Sequence, residues 1–205
     1  MVAFNHAYIH IARAQQITAA QQQWLLSVWP DYDAKRYCSL SRESVKQQFL
    51  ISRYWMYHWL IQHWQLEDVR MTRNDHGKPF LLASPLFISL SHTKEWVVLA
   101  VSNHEIGIDI ERIDRMKTKH LRWFSQAEQQ AFRQGLVSLS ELWTLKEAIV
   151  KQKGSTLARE LARCDINWHS WRDSHDLYSQ TWHNDWQLSA CAPEVNQWHV
   201  QAELG

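Results

Sequence analysis

Ile106-Gly107-Ile108-Asp109-Ile110-Glu111 is the stretch on which the reading of this chain turns. Apolar residues alternate with Gly107, Asp109 and Glu111, and a period of two is that of a β-strand. Side chains two positions apart point the same way, so Asp109 and Glu111 share one face and Ile108 and Ile110 the other. Two neighbouring carboxylates repel each other unless a cation sits between them. A hard divalent ion such as Mg²⁺, which takes oxygen ligands, suits such a pair. Gly107, lacking a side chain, leaves room above the same face for something bulky. The plainer reading is an edge strand with a solvated outer face.

Two more strands are expected just upstream, at Leu86–His92 and Trp96–Ser102. Short turns at 93–95 and 103–105 would join all three as an antiparallel meander. A first strand is expected over 2–11. Thr18-Ala-Ala-Gln21 has capping-box spacing and opens a helix to about Val28, which Trp29-Pro30-Asp31 breaks. From Ser41 to Trp64, Val45, Phe49, Trp55 and Trp59 fall near one broad stripe, which predicts a long core helix. A polar turn at 73–79 holds Lys78 between Gly77 and Pro79. Ser125-Gln-Ala-Glu128 and Ser138-Leu-Ser-Glu141 repeat the capping-box spacing. They predict helices to about Gln134 and over 142–153, the second stopped by Gly154. Short strands are expected at 164–168, 187–191 and 198–202. Each half therefore carries helices and then strands, which predicts two α+β lobes, 1–103 and 104–205, forming one compact unit.

The chain has 205 residues, enough for two small lobes around a real core. With 45% hydrophobic and 21% charged residues it reads as globular rather than disordered. A net charge of +1 gives no overall attraction to nucleic acid or anionic lipid. Cys38, Cys164 and Cys191 are too scattered for a disulfide framework or a metal motif. No signal peptide and no long apolar run is evident, so the expected location is the reducing cytoplasm, with no membrane partner. The histidines lack H-x-x-x-H spacing, so no zinc site is expected. The many tryptophans read as packing residues rather than a base-stacking platform.

Within helix 142–153, Trp143, Glu147 and Lys151 are spaced four apart and lie along one face. A solvated Glu147–Lys151 pair would be worth roughly 0.2–0.5 kcal/mol. Trp143 on the same face argues for partial burial, and a half-buried Glu and Lys need partners. Glu147 could be the third carboxylate around a cation held by Asp109 and Glu111, and Lys151 could hold a phosphate on that ion. Ser91, His92 and Thr93 end a strand nearby and offer donors.

Four motifs occur in order: Gly77-Lys78-Pro79, Leu90-Ser91-His92-Thr93, Gly107-Ile108-Asp109-Ile110-Glu111, and Trp143 to Lys151. Together they resemble the motif set of the Sfp-type 4′-phosphopantetheinyl transferases, of the holo-acyl-carrier-protein synthase superfamily. Phe124 and Glu128 resemble the lead into the last motif. The resemblance implies a pseudo-twofold monomer of two similar α+β lobes, with coenzyme A and Mg²⁺ in the cleft between them. It implies transfer of the phosphopantetheine arm to a serine of an apo acyl or peptidyl carrier protein, releasing adenosine 3′,5′-bisphosphate. Carried over by position, Asp109, Glu111 and Glu147 become the metal ligands, with Glu147 taking the serine proton. Lys151 and His92 contact coenzyme A phosphates, Lys78 meets the 3′-phosphate side, and Ser91 helps hold the nucleotide. Lys146 and Trp143 support them. Arg36 and Arg53 are candidate nucleotide contacts from the first half. The chain departs from the pattern at Ser89, where the family often has asparagine, and after Gly154, where a second glycine is missing. A catalytically degenerate binder of coenzyme A or carrier protein is the alternative, and the three intact carboxylates speak against it. Another Mg²⁺-dependent phosphoryl-transfer enzyme lacks its P-loop or Rossmann glycines here. A nucleic-acid module does not fit the charge balance.

Overall fold

The computed structural model describes residues 5–160 and 166–203. Strand β1 (His6–Arg13) comes first; positions 2–4 of the expected first strand lie outside the described residues. Helix α1 (Ala19–Val28) starts as its capping box predicts: the Gln21 amide donates to Thr18 Oγ1 at 3.2 Å and the Thr18 amide to Gln21 Oε1 at 2.8 Å. Pro30 ends that helix but also opens another, α2 (Asp31–Ser39), with Asp31 and Asp33 in its first turn, where a helix dipole favours carboxylates. The sequence reading missed α2. Helix α3 (Glu43–Gln62) matches the long apolar stripe. The polar turn at 73–79 closes a short hairpin, β2 (Met71–Arg73) with β3 (Pro79–Leu81). Strands β4 (Phe87–His92) and β5 (Trp96–Ser102) pair antiparallel.

The expected meander ends there. Strand β6 (Gly107–Arg112) does not pair with β5, because the other edge of β5 is taken by β1. Instead β6 starts a second sheet and pairs with β8 (Trp186–Cys191), which pairs in turn with β7 (Leu177–Trp182). The last strand, β9 (Gln197–Glu203), returns to the first sheet and lies parallel to β1. The sheet orders are β4-β5-β1-β9 and β6-β8-β7. Of the strand expected at 164–168, positions 164 and 165 lie outside the described residues, and 166–168 are not a strand.

Between β6 and β7 come helices α4 (Gln126–Arg133), α5 (Leu139–Lys153) and the short α6 (Leu157–Glu160). A repeat then becomes visible. Strand β1, helix α3, strands β4 and β5 make one lobe; strand β6, helix α5, strands β7 and β8 make the other. In both, the sheet order is first, third, second strand, with every pair antiparallel. The protein is thus an α+β fold of two similar lobes.

Alternation along β5 sets the layers. Val97, Leu99 and Val101 join the cluster under α3 with Met56, Trp59 and Leu60. Trp96, Val98 and Ala100 join the opposite cluster, where Ile9 and Ile11 of the first sheet meet Ile108, Ile110, Leu188 and Ala190 of the second. A third cluster, including Phe124, Ala131, Leu142 and Leu145, joins α4 to α5. The sheets face each other, with α3 and α5 outside them. Among the described residues no helix is long and apolar enough to cross a membrane, and Cys38 and Cys191 are free thiols.

Candidate active site

Strand β6 sends Ile108 and Ile110 into the intersheet core and leaves Asp109 on its other face, only 7% exposed. Two donors meet on Asp109 Oδ1: Ser91 Oγ from β4 at 2.8 Å and Lys151 Nζ from α5 at 2.8 Å. Lys151 also donates to the Ile108 carbonyl oxygen at 3.0 Å. Three elements therefore converge on one carboxylate. Ser89 Oγ accepts the Ile108 amide at 3.1 Å, which ties β4 to β6 without strand pairing, so the family's asparagine is not needed for that link.

Gly107 does not leave open space. A Cβ there would lie 1.9 Å from the Ala148 carbonyl oxygen and 2.4 Å from the Gln152 amide nitrogen. The bulky object above the strand is the backbone of α5 itself, the helix that carries Glu147 and Lys151.

Glu147 is half-buried. Desolvation, and then the charge of Asp109, raise its carboxyl above the usual carboxylate range, while Lys151 and Arg115 oppose the rise. Glu111 is turned to the guanidinium of Arg115. Asp109 and Glu111 on β6 and Glu147 on α5 thus share one neighbourhood, two of them holding cationic side chains. They are not drawn into the tight donor trio, all within 4.8 Å, that His58, His63 and Glu203 form elsewhere.

His92 ends β4 with its ring open to a cleft. Desolvation by the surrounding walls, then the charges of Arg53 and Lys151, lower its pKa to about 4. It is therefore a neutral imidazole near pH 7. The cleft, of about 320 Å³, lies between α3, the β2–β3 turn, β4 and the end of α5; Arg53, Arg73, Lys78 and Lys151 are among its walls. A second depression of about 480 Å³ shares His92 and includes Glu111, Arg115 and Lys94.

The basic residues picked from sequence fall differently. Arg53 lines the first cleft, held by Asp33 Oδ2 at 2.8 Å. Lys78 lines it with its stem, while its ammonium bonds Glu105 Oε2 at 3.2 Å and the Gln152 carbonyl oxygen. Arg36 is exposed on α2 and does not line the cleft. Ser91 spends its hydroxyl on Asp109, and Thr93 Oγ1 accepts the Glu95 and Trp96 amides in the β4–β5 turn.

Several residues at the site were not found from sequence. Asp33 is fully buried, accepts Tyr57 Oη at 2.6 Å, and lies 3.8 Å from Arg73. Two guanidiniums thus share one carboxylate beside the cleft, leaving net positive charge there. Asn74 donates to the Gly154 carbonyl oxygen at 2.9 Å and accepts the Lys78 amide at 2.9 Å, fastening the turn to the end of α5. No pattern in the sequence pairs Asp33 with Arg73 or Asn74 with Gly154; Asn in an Asn-Asp-His-Gly turn was the one available hint.

Behind α5, Lys146 and Glu128 form an ion pair of 2.7 Å with side chains 4% and 0% exposed. The pair joins α4 to α5. Lys146→Ala would strand a buried carboxylate and is expected to cost about 3–5 kcal/mol in a urea unfolding experiment. A Lys146→Met/Glu128→Leu double variant should cost much less, since an apolar pair can replace a buried ionic one. Equal losses in both variants would show that an apolar pair does not replace the ionic one here, the double variant also losing the Glu128 cap on α4.

Fold and site together define a two-lobed α+β protein whose two clefts share His92, with the Asp109–Lys151 ion pair beside the first of them. Residues 105–202 match the family model of the 4′-phosphopantetheinyl transferase superfamily. The chain is 37% identical over 94 residues to the 4′-phosphopantetheinyl transferase gsp of Aneurinibacillus migulanus, covering 43% of this chain and 39% of that protein. It is 28% identical over 142 residues to the 4′-phosphopantetheinyl transferase Sfp of Bacillus subtilis, covering 61% and 63%. It is 38% identical over 96 residues to the 4′-phosphopantetheinyl transferase AcpT of Salmonella typhimurium, covering 42% and 50%. The matches thus span between 39% and 63% of these relatives' own length. Over these stretches the chain is similar to the 4′-phosphopantetheinyl transferases, as its motifs indicated.

Proposed function

We propose that the protein moves the 4′-phosphopantetheine arm of coenzyme A onto a serine of an apo acyl or peptidyl carrier protein, releasing adenosine 3′,5′-bisphosphate. The observation that carries this reading is the convergence on Asp109 Oδ1 of Ser91 and Lys151, beside a nucleotide-sized cleft walled by arginines. The names of the relatives support it.

The donor set fits a magnesium ion. Asp109, Glu111 and Glu147 supply hard oxygens; the Glu147 carboxyl is raised first by burial and then by the charge of Asp109, with Lys151 and Arg115 opposing. Bound by these three, Mg²⁺ would neutralise developing charge on the diphosphate oxygens.

The chain's own residues do the rest. A serine is a weak nucleophile and must be aimed, stripped of its proton and brought to a phosphorus whose oxygens are charge-stabilised. Glu147, with its basicity raised by burial, takes the serine proton. Lys151 donates to a phosphate oxygen. His92 adds an N–H without adding charge. Arg53, aimed by Asp33, holds the nucleotide's phosphates, and Lys78 shapes the 3′-phosphate side. Ser91 orients Asp109. Arg36 has no part in the cleft. The protein acts as a cytoplasmic monomer.

Intact-mass spectrometry of an apo carrier protein with this protein, coenzyme A and Mg²⁺ tests the reading. A gain of one phosphopantetheine arm, abolished by EDTA, is expected. No gain with several carriers, while coenzyme A still raises the melting temperature, would make the protein a binder without transfer. Neither gain nor stabilisation would overturn the reading.

A further inference from the structure

We propose that His58, His63 and Glu203 form a metal site for Zn²⁺, separate from the carboxylate cleft, that fastens the end of β9 to the end of α3. One donor atom from each residue lies within 4.8 Å of the others. His63 Nε2 is 3.4 Å from Glu203 Oε1. His58 is five residues beyond the cleft-lining Arg53, about 140° around the helix, so it leaves on another side of α3.

The three side chains are held in place. Trp59 Nε1 donates to Glu203 Oε1 at 2.6 Å, as groups behind a metal ligand commonly do. The His58 ring stacks on Tyr54 at 5.6 Å and meets Trp55 edge-on at 5.7 Å. His63 is the residue that ends α3. Glu203 closes β9 in register with Ala12 of β1.

Two further observations point to a cation. Asp109 and Glu111 each hold a lysine or arginine, whereas Glu203, among the described residues, forms its ion pair with His63 and no lysine or arginine. Beside the trio stands His10, 3% exposed, its ring centroid 5.3 Å from His63. Its Nε2 accepts from Trp64, and its buried Nδ1 has no hydrogen-bond partner. A buried polar nitrogen, His10 Nδ1, thus lies beside the trio without a protein partner.

The donor chemistry selects the ion. Two imidazoles and a carboxylate suit Zn²⁺, with a water in the fourth position. Mg²⁺ prefers oxygen alone and would go to the cleft. The four residues between His58 and His63 also lie within the spacing of paired zinc-binding histidines. His58 and His63 do not have H-x-x-x-H spacing, and Glu203 is far away in the chain.

Calorimetric titration of the EDTA-treated, dialysed full chain with Zn²⁺ in excess Mg²⁺ tests the site. One equivalent is expected to bind and to raise the melting temperature. His63→Gln and Glu203→Gln, both partly exposed positions, should each weaken that binding by more than about 100-fold while leaving circular dichroism and carrier loading unchanged. Asp109→Ala should bind Zn²⁺ as the parent does. Unchanged affinity in both His63→Gln and Glu203→Gln would overturn the proposal, as would binding lost only in Asp109→Ala, which would put the ion in the cleft. This outcome is independent of whether the protein transfers phosphopantetheine.

Discussion

Asp109→Ala is expected to lose at least about a thousandfold in carrier loading, close to 4 kcal/mol of transition-state stabilisation, while still folding. The size follows from how much one oxygen organises. Asp109 Oδ1 takes Ser91 from β4 and Lys151 from α5, and its charge adds to burial in raising the Glu147 carboxyl. Without it the Lys151 ammonium keeps only the Ile108 carbonyl oxygen, and it is 30% exposed, so it can turn to water. The fold therefore loses one largely buried ion pair and the acceptor of the Ser91 hydroxyl, whereas the site loses the charge proposed to hold the ion and the alignment of its lysine. Asp109→Asn separates the two contributions. The amide keeps the shape and an acceptor for Ser91 but not the charge. Loading by Asp109→Asn close to that of Asp109→Ala would assign the effect to charge; recovery toward the parent would assign it to alignment. Single-turnover loading followed by mass spectrometry reads both, and an Asp109→Ala enzyme retaining a tenth of the parent rate would refute the role given to this carboxylate.

Local signals in the sequence were legible where a short-range rule governs them. The three capping boxes at Thr18, Ser125 and Ser138 all form, because each is a bargain between backbone amides and side chains three residues apart. Gly154 ends α5 with φ +58°, as a left-handed cap requires. Period-two alternation located β6 and gave its two faces. What alternation cannot carry is the identity of a strand's neighbour. Whether β6 continues the first sheet depends on whether the edge of β5 is free, and β1, almost a hundred residues earlier, decides that. The same limit applies to the site. Asp109, Glu147 and Lys151 could be joined because two periodicities put them on defined faces. Asp33 and Arg73 could not, since their meeting depends on how α2 and the β2–β3 hairpin settle around α3. Lys78 shows the converse: a motif position was found, but burial and Glu105 decide where its ammonium goes.

Gly107→Ala is expected to destabilise the protein by about 3 kcal/mol or more, at or beyond the upper end of ordinary overpacking, and to cut carrier loading by about 100-fold in whatever fraction folds. The reason is steric rather than conformational, since Gly107 is not among the glycines with positive φ. The added Cβ would meet the Ala148 carbonyl oxygen at 1.9 Å and the Gln152 amide at 2.4 Å, and both belong to helix backbone that cannot rotate away. Either α5 moves outward or β6 bends. In each case Glu147 and Lys151, on the turns of α5 that flank the contact, move relative to Asp109 on the strand. The glycine thus sets the distance between the two elements that hold the carboxylates. That geometry also supplies a control. Ala148→Gly removes a methyl group but leaves the carbonyl oxygen, so Gly107→Ala/Ala148→Gly should be no more stable or active than Gly107→Ala alone. Rescue by that second change would mean that the strand and helix touch through side chains, and the spacing of Asp109 and Glu147 would then be set elsewhere. A Gly107→Ala protein with the parent's unfolding midpoint and rate would remove the close approach altogether.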